Sequence, residues 1–506
     1  NSICNYGDWI AMAIHEGELM KYNPGTNQLV KIDIPEANHT FVRNVACFDN
    51  ELWVGTHEGL FVVNERKNKI VHLKQDLMRP FSLSDKIIYT IYRDREGGIW
   101  LGTMFGGVDY LPHHDLLFDK YVPGSDGNSL TTKRVREIAS DNKGNIWIGT
   151  EDDGVNILNI ASGKVRRLRL NDYDKGNYMV TLGMFVKGSQ LFCGLFKQGL
   201  DVIQLPENKV CHYTPEELNI GEGSVYTFFI DNEGYKWIGT GWGLYKAAPT
   251  SFHFDKVEEV GFDWIFDVFQ DKDGMMWFAS MGSGLWKYDP HKNLFKKYTH
   301  EEGKENTLSS NSVSSVMQDC KGRIWISTDR GGICCYNSQT DDFTTFSIKD
   351  GLPDDVAYKI LEDEQSNLWF GTNRGLVRFN PESKDIRVYT TKDGLLGNQF
   401  NYKSALKGED GKFYFGGIDG LIAFDPNSSE KINFLPPVYI SKFSIYNQEI
   451  TVHTPNSPLK KCIEHTDEII LPYDQANISF DVALLSYSTT ESNQYYYKLV
   501  QRTSFI

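Results

Sequence analysis

The residues that could do chemistry in this chain are scattered rather than gathered. Twelve histidines form one cluster, His113-His114-Asp115, with no third ligand at a spacing that would close a metal site. DNEG (231–234) and DKDG (271–274) begin like calcium loops, but neither has the Glu that position 12 of such a loop supplies. Asp152 and Asp153 are neighbours on one turn, whereas the two acids that flank a glycosidic bond come from separate elements. The chain contains no G-x-S-x-G, Walker loop or H-E-x-x-H phrase. No catalytic residue, metal or cofactor is expected.

Binding is a better match to the residues present. Sugars take flat aromatics to stack on, and planar donors and acceptors for their hydroxyls and carboxylates. Trp242, Phe105 and Phe196 are aromatics outside the repeated positions described below, and Trp264 precedes an apolar strand-like run. Lys197, Arg330 and Arg374 offer cationic donors, and an arginine can grip a uronate or sulfate in a two-pronged fork. Asn373, Asn401 and Tyr402 stand at neighbouring loop positions.

What must position these side chains is a repeat. DREGGIWLGTMFGG (94–107), DNKGNIWIGTEDDG (141–154) and DCKGRIWISTDRGG (319–332) are nearly one phrase, and degenerate copies bring the total to ten. The anchor aromatics Trp53, Trp100, Trp147, Phe192, Trp237, Trp277, Trp325, Trp369 and Tyr414 recur every 40–48 residues. Each unit parses into four short strands. An alternating run such as RVREIASD precedes a D-x-x-G turn; IWIGT, a Gly-rich turn, a second apolar strand and an aromatic-ended strand follow. Four strands in about 45 residues is the spacing of β-propeller blades. Asp141 and Gly144 are assigned to the tight turn, Trp147 to the gap between blades, and Gly149 to the same strand face, where neighbouring blades leave little room. Letters just after W-x-G-T differ from copy to copy while the frame repeats, as on a binding rim.

Composition agrees with a folded, non-nucleic-acid-binding protein. Of 506 residues, 40% are hydrophobic and 13% aromatic, which excludes a disordered chain, and the formal charge is −15, which argues against a nucleic-acid surface. A local basic pocket remains compatible with that charge. No run approaches 18 apolar residues, and the start NSICNYGDWI has no Met or leader, as in a trimmed chain. The eight cysteines include no C-x-x-C pair and read as small buried hydrophobes.

A ring of ten blades would be exceptional. The expected division is an all-β chain of three parts: 1–117, the last blades of an incomplete N-terminal propeller, its first copy lacking a leading strand; 118–432, a closed seven-bladed β-propeller; and 433–506, the start of a truncated Ig-like β-sandwich, since PPVYISKFSIYNQEITV and the segment after it alternate without the W-x-G-T phrase.

The D-x-x-G-x-x-W-x-G-T-x-x-G-G phrase resembles the regulator propeller repeat, and the segment from 437, with YYYKL at 495–499, resembles the start of the Y_Y_Y domain. In this order they resemble the periplasmic sensor region of bacterial hybrid two-component systems. The resemblance implies two seven-bladed propellers and a Y_Y_Y domain ahead of a membrane helix, a histidine kinase and a response regulator. It also implies a homodimer, tethered to the inner membrane through a segment outside this sequence, that binds an oligosaccharide and switches on genes for polysaccharide use. On that reading the fragment is not itself an enzyme. A propeller glycosidase or lyase, whose catalytic residues would come from different blades, and a protein-interaction scaffold are the alternatives.

Overall fold

The computed structural model describes the chain apart from residues 1, 15–17, 35–39, 77–80, 113–117, 125–127, 169–179, 206, 222, 429–436, 474, 476, 488–497 and 499–506. It divides into two compact units, 116–429 and 1–115 together with 430–506. The His113-His114-Asp115 cluster and the tyrosines at 495–497 lie outside the described residues.

The unit 116–429 is a closed ring of seven antiparallel sheets. Blades 1 to 6 are four-stranded meanders spanning 135–167, 181–213, 227–256, 265–298, 313–346 and 360–389. Blade 7 takes three strands from 400–424 and its outermost from Asp119–Tyr121, which pairs with Leu421–Phe424. One N-terminal strand thus completes the last blade and latches the ring. The innermost strands neighbour one another in order, and those of blades 1 and 7 meet in parallel at Glu137 and Lys403. In blades 1, 2, 4 and 5 the innermost strand starts with a register shift opposite the W-x-G-T strand. Such a bulge re-aims side chains at the strand end.

The repeated phrase builds this frame through one carboxylate with two tasks. In D-x-x-G, Asp271 Oδ1 accepts the backbone N–H groups of Asp273 (3.0 Å) and Met275 (2.9 Å), which closes the turn. Its Oδ2 accepts the indole N–H of Trp277 at 2.8 Å. The same Asp-to-indole bond joins Asp94 to Trp100, Asp141 to Trp147, Asp231 to Trp237, Asp319 to Trp325 and Asp363 to Trp369. In blade 7 Asp410 accepts from the Tyr414 hydroxyl instead. A buried indole needs a partner for its N–H, and the turn aspartate six residues earlier supplies it. The rings fill the gaps between blades: Trp147 packs against Leu191, Cys193 and Ile203 of the next blade. Burying each is worth about 2–3 kcal/mol. The glycine two residues on has no room for a side chain. A Cβ on Gly149 would sit 2.9 Å from Thr181 and Met184, and one on Gly194 would sit 2.3 Å from the Val225 carbonyl oxygen.

The other unit begins with sheets over Ser2–Lys31 and Val42–Leu73, each of four strands, and a sheet of three described strands over Ile88–Leu111. Its first copy does have a leading strand: Ser2–Tyr6 pairs with Trp9–Ala13. The residues SICNY alternate in exposure, too briefly for a period to stand out in sequence. Trp53 follows a two-residue turn at Asp49–Asn50 rather than D-x-x-G, and its indole N–H is buried without a partner among the described residues. After residue 437 comes a three-stranded sheet, Val438–Ile445 between Gln448–Glu449 and Ile478–Leu484, with Phe443, Ile445 and Leu459 at its core. The cysteines are less uniformly buried than their apolar contexts suggest: Cys193 and Cys334 are buried, but Cys211, Cys320 and Cys462 are exposed on outer strands and turns. Among the described residues no helix is long and apolar enough to cross a membrane.

Candidate functional site

Polar side chains converge at one mouth of the seven-bladed ring. A cavity of about 630 Å³ opens there, walled by blades 1, 5, 6 and 7. Two kinds of segment build the wall: the turns after W-x-G-T, and the entries to the innermost strands with those strands' first residues. These are the places where the repeat varies most. Asn401 and Tyr402, expected at loop positions, lie on the strand Phe400–Lys407.

Four of the sequence candidates meet in this cavity: Arg330, Asn373, Asn401 and Tyr402. Arg330 stands on the blade 5 turn with φ 71°, its side chain 85% exposed. The turn under it is fixed. Asp329 N–H donates to the Ser312 carbonyl at 2.8 Å, and the Thr328 hydroxyl donates to the Gly332 carbonyl at 2.8 Å. Asn373, on the corresponding turn of blade 6, accepts from the Tyr358 hydroxyl at 2.6 Å through Oδ1. Its Nδ2 has no partner among the described residues. Asn401 is engaged at both ends of its amide: Nδ2 donates to the Val135 carbonyl (3.1 Å) and Oδ1 accepts from Tyr402 N–H (3.0 Å). It lines the cavity but holds the seam between blades 7 and 1. Tyr402 sets its ring edge-on to Tyr358 (centroids 5.0 Å apart) and to Phe266 (5.5 Å), and its hydroxyl has no partner among the described residues. Burial pushes that phenol's pKa up.

Trp264 lies at the next position of this aromatic series rather than in the cavity wall. It is 36% exposed and packs against Tyr226 (5.0 Å) and Phe266 (6.2 Å). The remaining candidates are elsewhere. Trp242 is exposed at the tip of the blade 3 turn, and Arg374 at that of blade 6. Lys197 lies over the Phe196 ring on the blade 2 turn at 5.2 Å. Phe105 belongs to the other unit, 81% exposed.

The sequence reading passed over the blade 1 contribution. Lys133 and Arg134, from the segment before Val135–Ser140, and Arg136, the second residue of that strand, line the cavity together with Glu151 of the following turn. Arg136 pairs with Glu151 at 3.0 Å and Arg134 with the same carboxylate at 3.5 Å. The trace of this contribution in the sequence is T-T-K-R-V-R-E, a cluster of cations at the start of the strand Val135–Ser140.

Beneath lies a second arrangement that no local motif announced. Glu137 and Lys403, each 5% exposed, form an ion pair at 3.1 Å, and Lys359 Nζ stands 3.9 Å from the same carboxylate. The Lys403 ammonium also donates to the Tyr226 carbonyl across the ring. Asp267 of blade 4 joins them. Burial raises its carboxyl pKa above 3.8, while Lys403 and Lys359 pull it back down. Two acids and two lysines from four blades therefore occupy the centre of the ring.

The family model of the two component regulator propeller matches residues 82–105, 129–152 and 351–374. Those stretches carry the Asp85 turn, the basic segment of blade 1 with its Asp141–Trp147 turn, and the Asp363–Trp369–Asn373 unit. A histidine kinase of Formosa agariphila is 27% identical over 46% of this chain, which covers 20% of that protein. The crystal structure of the extracellular domain of a hybrid two-component system from B. thetaiotaomicron superposes with a TM-score of 0.73 at 23% identity. That match takes in 95% of this chain and 62% of the other. A further extracellular domain from B. thetaiotaomicron, described as part of a one-component system, matches with a TM-score of 0.51 at 21% identity, over 97% of this chain and 66% of the other. The chain thus carries regulator propeller repeats, has the propeller fold of these extracellular domains, and spans only part of the length of the proteins it matches.

Proposed function

We propose that this chain, built from two-component regulator propeller repeats, is the ligand-sensing region of a membrane-tethered hybrid sensor kinase. It binds an oligosaccharide at the mouth of the seven-bladed ring. The observation that carries the reading is the cavity of about 630 Å³, where unpartnered polar groups and the Tyr402–Tyr358 aromatic pair meet on a rigid frame. Sugar sites combine such a platform with a few placed donors. The kinase activity belongs to parts of the protein outside this sequence, and the region sits on the periplasmic side of the inner membrane as a homodimer. Binding biases the kinase by favouring one arrangement of the dimer over another, which needs only a difference in affinity between the two. Polysaccharide-utilisation genes are the regulated output.

Calorimetric titration of the intact ectodomain with a broad panel of oligosaccharides tests the reading. At least one sugar should bind, and Tyr402→Ala should weaken it about tenfold or more, the worth of one lost aromatic and hydroxyl contact. Silence across the panel refutes the reading, and cleavage of the sugars during the same incubation replaces it with an enzymatic one.

A further inference from the structure

We infer that the mouth of the seven-bladed ring is built for an acidic sugar, a uronate or a sulfate ester, with Arg330 and Arg136 as its anion clamp. This rests on the oligosaccharide reading above and narrows it to a chemical class.

The local charge is the first ground. The protein carries a formal −15, yet this cavity is lined by four cationic side chains and two carboxylates, with a third carboxylate, Asp419, 3.7 Å from Lys133. Oriented charge of one sign in a concave wall concentrates ligands of the other sign, whatever the net charge of the molecule.

Incomplete internal neutralisation is the second. Glu151 is shared between Arg136 and Arg134, so that group keeps one positive charge in excess. Among the described residues Arg330 has for company only its own neighbour Asp329, Nε to Oδ1 at 3.9 Å, and an exposed contact of that length holds little. Its side chain is left to meet a ligand.

Convergence is the third. Arg136 rises from blade 1 and Arg330 from blade 5, and both line the same cavity as Tyr402. Their charges draw the Tyr402 phenol's pKa down, against burial and the Asp329 carboxylate, which raise it. A sugar ring lying against Tyr402 would present its exocyclic carboxylate or sulfate to one or both. Each guanidinium is a planar fork that fits two oxygens of such a group. The unpartnered Tyr402 hydroxyl and Asn373 Nδ2 remain for ring hydroxyls.

The test is calorimetry on the intact ectodomain with three probes of equal length: tetragalacturonate, a sulfated galactotetraose and neutral galactotetraose. It is run at about 50 and 500 mM salt with wild type, Arg330→Met, Arg136→Met and, as a control outside the cavity, Arg374→Met. At least one acidic probe should bind about 10–100-fold more tightly than the neutral one, the range for a charge-assisted bidentate contact. High salt and Arg330→Met or Arg136→Met should each remove most of that preference, and Arg374→Met should not. Which acidic probe binds identifies carboxylate or sulfate. Equal binding of neutral and acidic probes, or a preference untouched by both cavity variants, overturns the acidic-sugar inference and leaves oligosaccharide sensing standing. No binding by any probe overturns the inference; extending to the broad panel then decides whether sensing falls with it.

Discussion

Lys403→Met should open the seam of the ring. The pair it breaks joins the innermost strands of blades 1 and 7, the two ends of the closed circle. At 3.1 Å and an effective dielectric of about 20, the gross attraction is about 5 kcal/mol, and desolvating both groups offsets most of it. The pair as a whole therefore adds little to stability, but removing one member does not simply return that little. It leaves Glu137 buried with Lys359, at 3.9 Å, as its remaining cationic partner among the described residues. The expected loss is about 3–5 kcal/mol, a large part of the roughly 5–15 kcal/mol that holds a domain together. Pairing Lys403→Met with Glu137→Gln should recover most of the loss. Guanidinium unfolding followed by tryptophan fluorescence measures both. Hydrogen exchange should show the single variant opening first in Val135–Ser140 and Phe400–Lys407. The pH dependence has a definite sign. Asp267 titrates above 3.8 in the folded state, chiefly because it is buried. Its share of stability is therefore complete below 3.8 and lost as pH rises through the folded value. Lys403 draws that value down, so the variant moves the loss to higher pH and widens its deficit at neutral pH. A deficit below about 1 kcal/mol, or a double variant no better than the single, would refute the reasoning.

Asp271→Ala should strand the Trp277 indole, 1% exposed, and free the N–H groups of its turn, at a cost of about 1–3 kcal/mol. In a Trp277→Phe background the same change should cost less, and the difference is read by a double-mutant cycle in urea. His212 Nδ1 lies 2.7 Å from Asp201, a carboxylate 1% exposed, and this hydrogen bond is the largest cause of a pKa raised above 6.5. Its contribution is therefore complete below 6.5 and lost as pH rises through the folded value, so the unfolding midpoint should fall as pH rises above 6.5, and His212→Gln should flatten that slope.

The frame was legible because its determinants are local and repeated. An aspartate, a glycine, a tryptophan and a second glycine within ten residues define one turn and one interblade contact, and the chain spells them again and again. The Asp-to-indole bond was not read from the spacing. D-x-x-G accounts for the aspartate as a turn residue, and nothing in one dimension says its second oxygen reaches a side chain six residues later. The copies do carry a trace of it: the Phe192 unit, where no N–H needs a partner, has V-K-G-S-Q in place of D-x-x-G. Ser2–Tyr6 escaped notice because five residues give an alternating pattern too little length to stand out.

The site was legible only in part, and the division follows from geometry. Arg330, Asn373, Asn401 and Tyr402 were found because they occupy the variable positions of the repeat. Which variable positions share a cavity depends on how the ring closes. The innermost strands of blades 7 and 1 meet at Glu137 and Lys403, which brings the blade 1 segment to the mouth beside blades 5 and 6, so residues some 200 positions apart line one cavity. The same closure explains why Arg136 and Glu137, adjacent in sequence, take different parts. The register shift at the start of their strand accompanies one at the mouth beside Glu151 and the other on Lys403 at the centre. Tyr402 and Lys403 divide in the same way on blade 7. An anion drawn to Arg136 would compete with Glu151 for its guanidinium one residue from the ion pair that closes the ring. The mouth and the seam are thus linked by two backbone steps, and the hydrogen-exchange protection of Val135–Ser140 should rise when an acidic sugar binds.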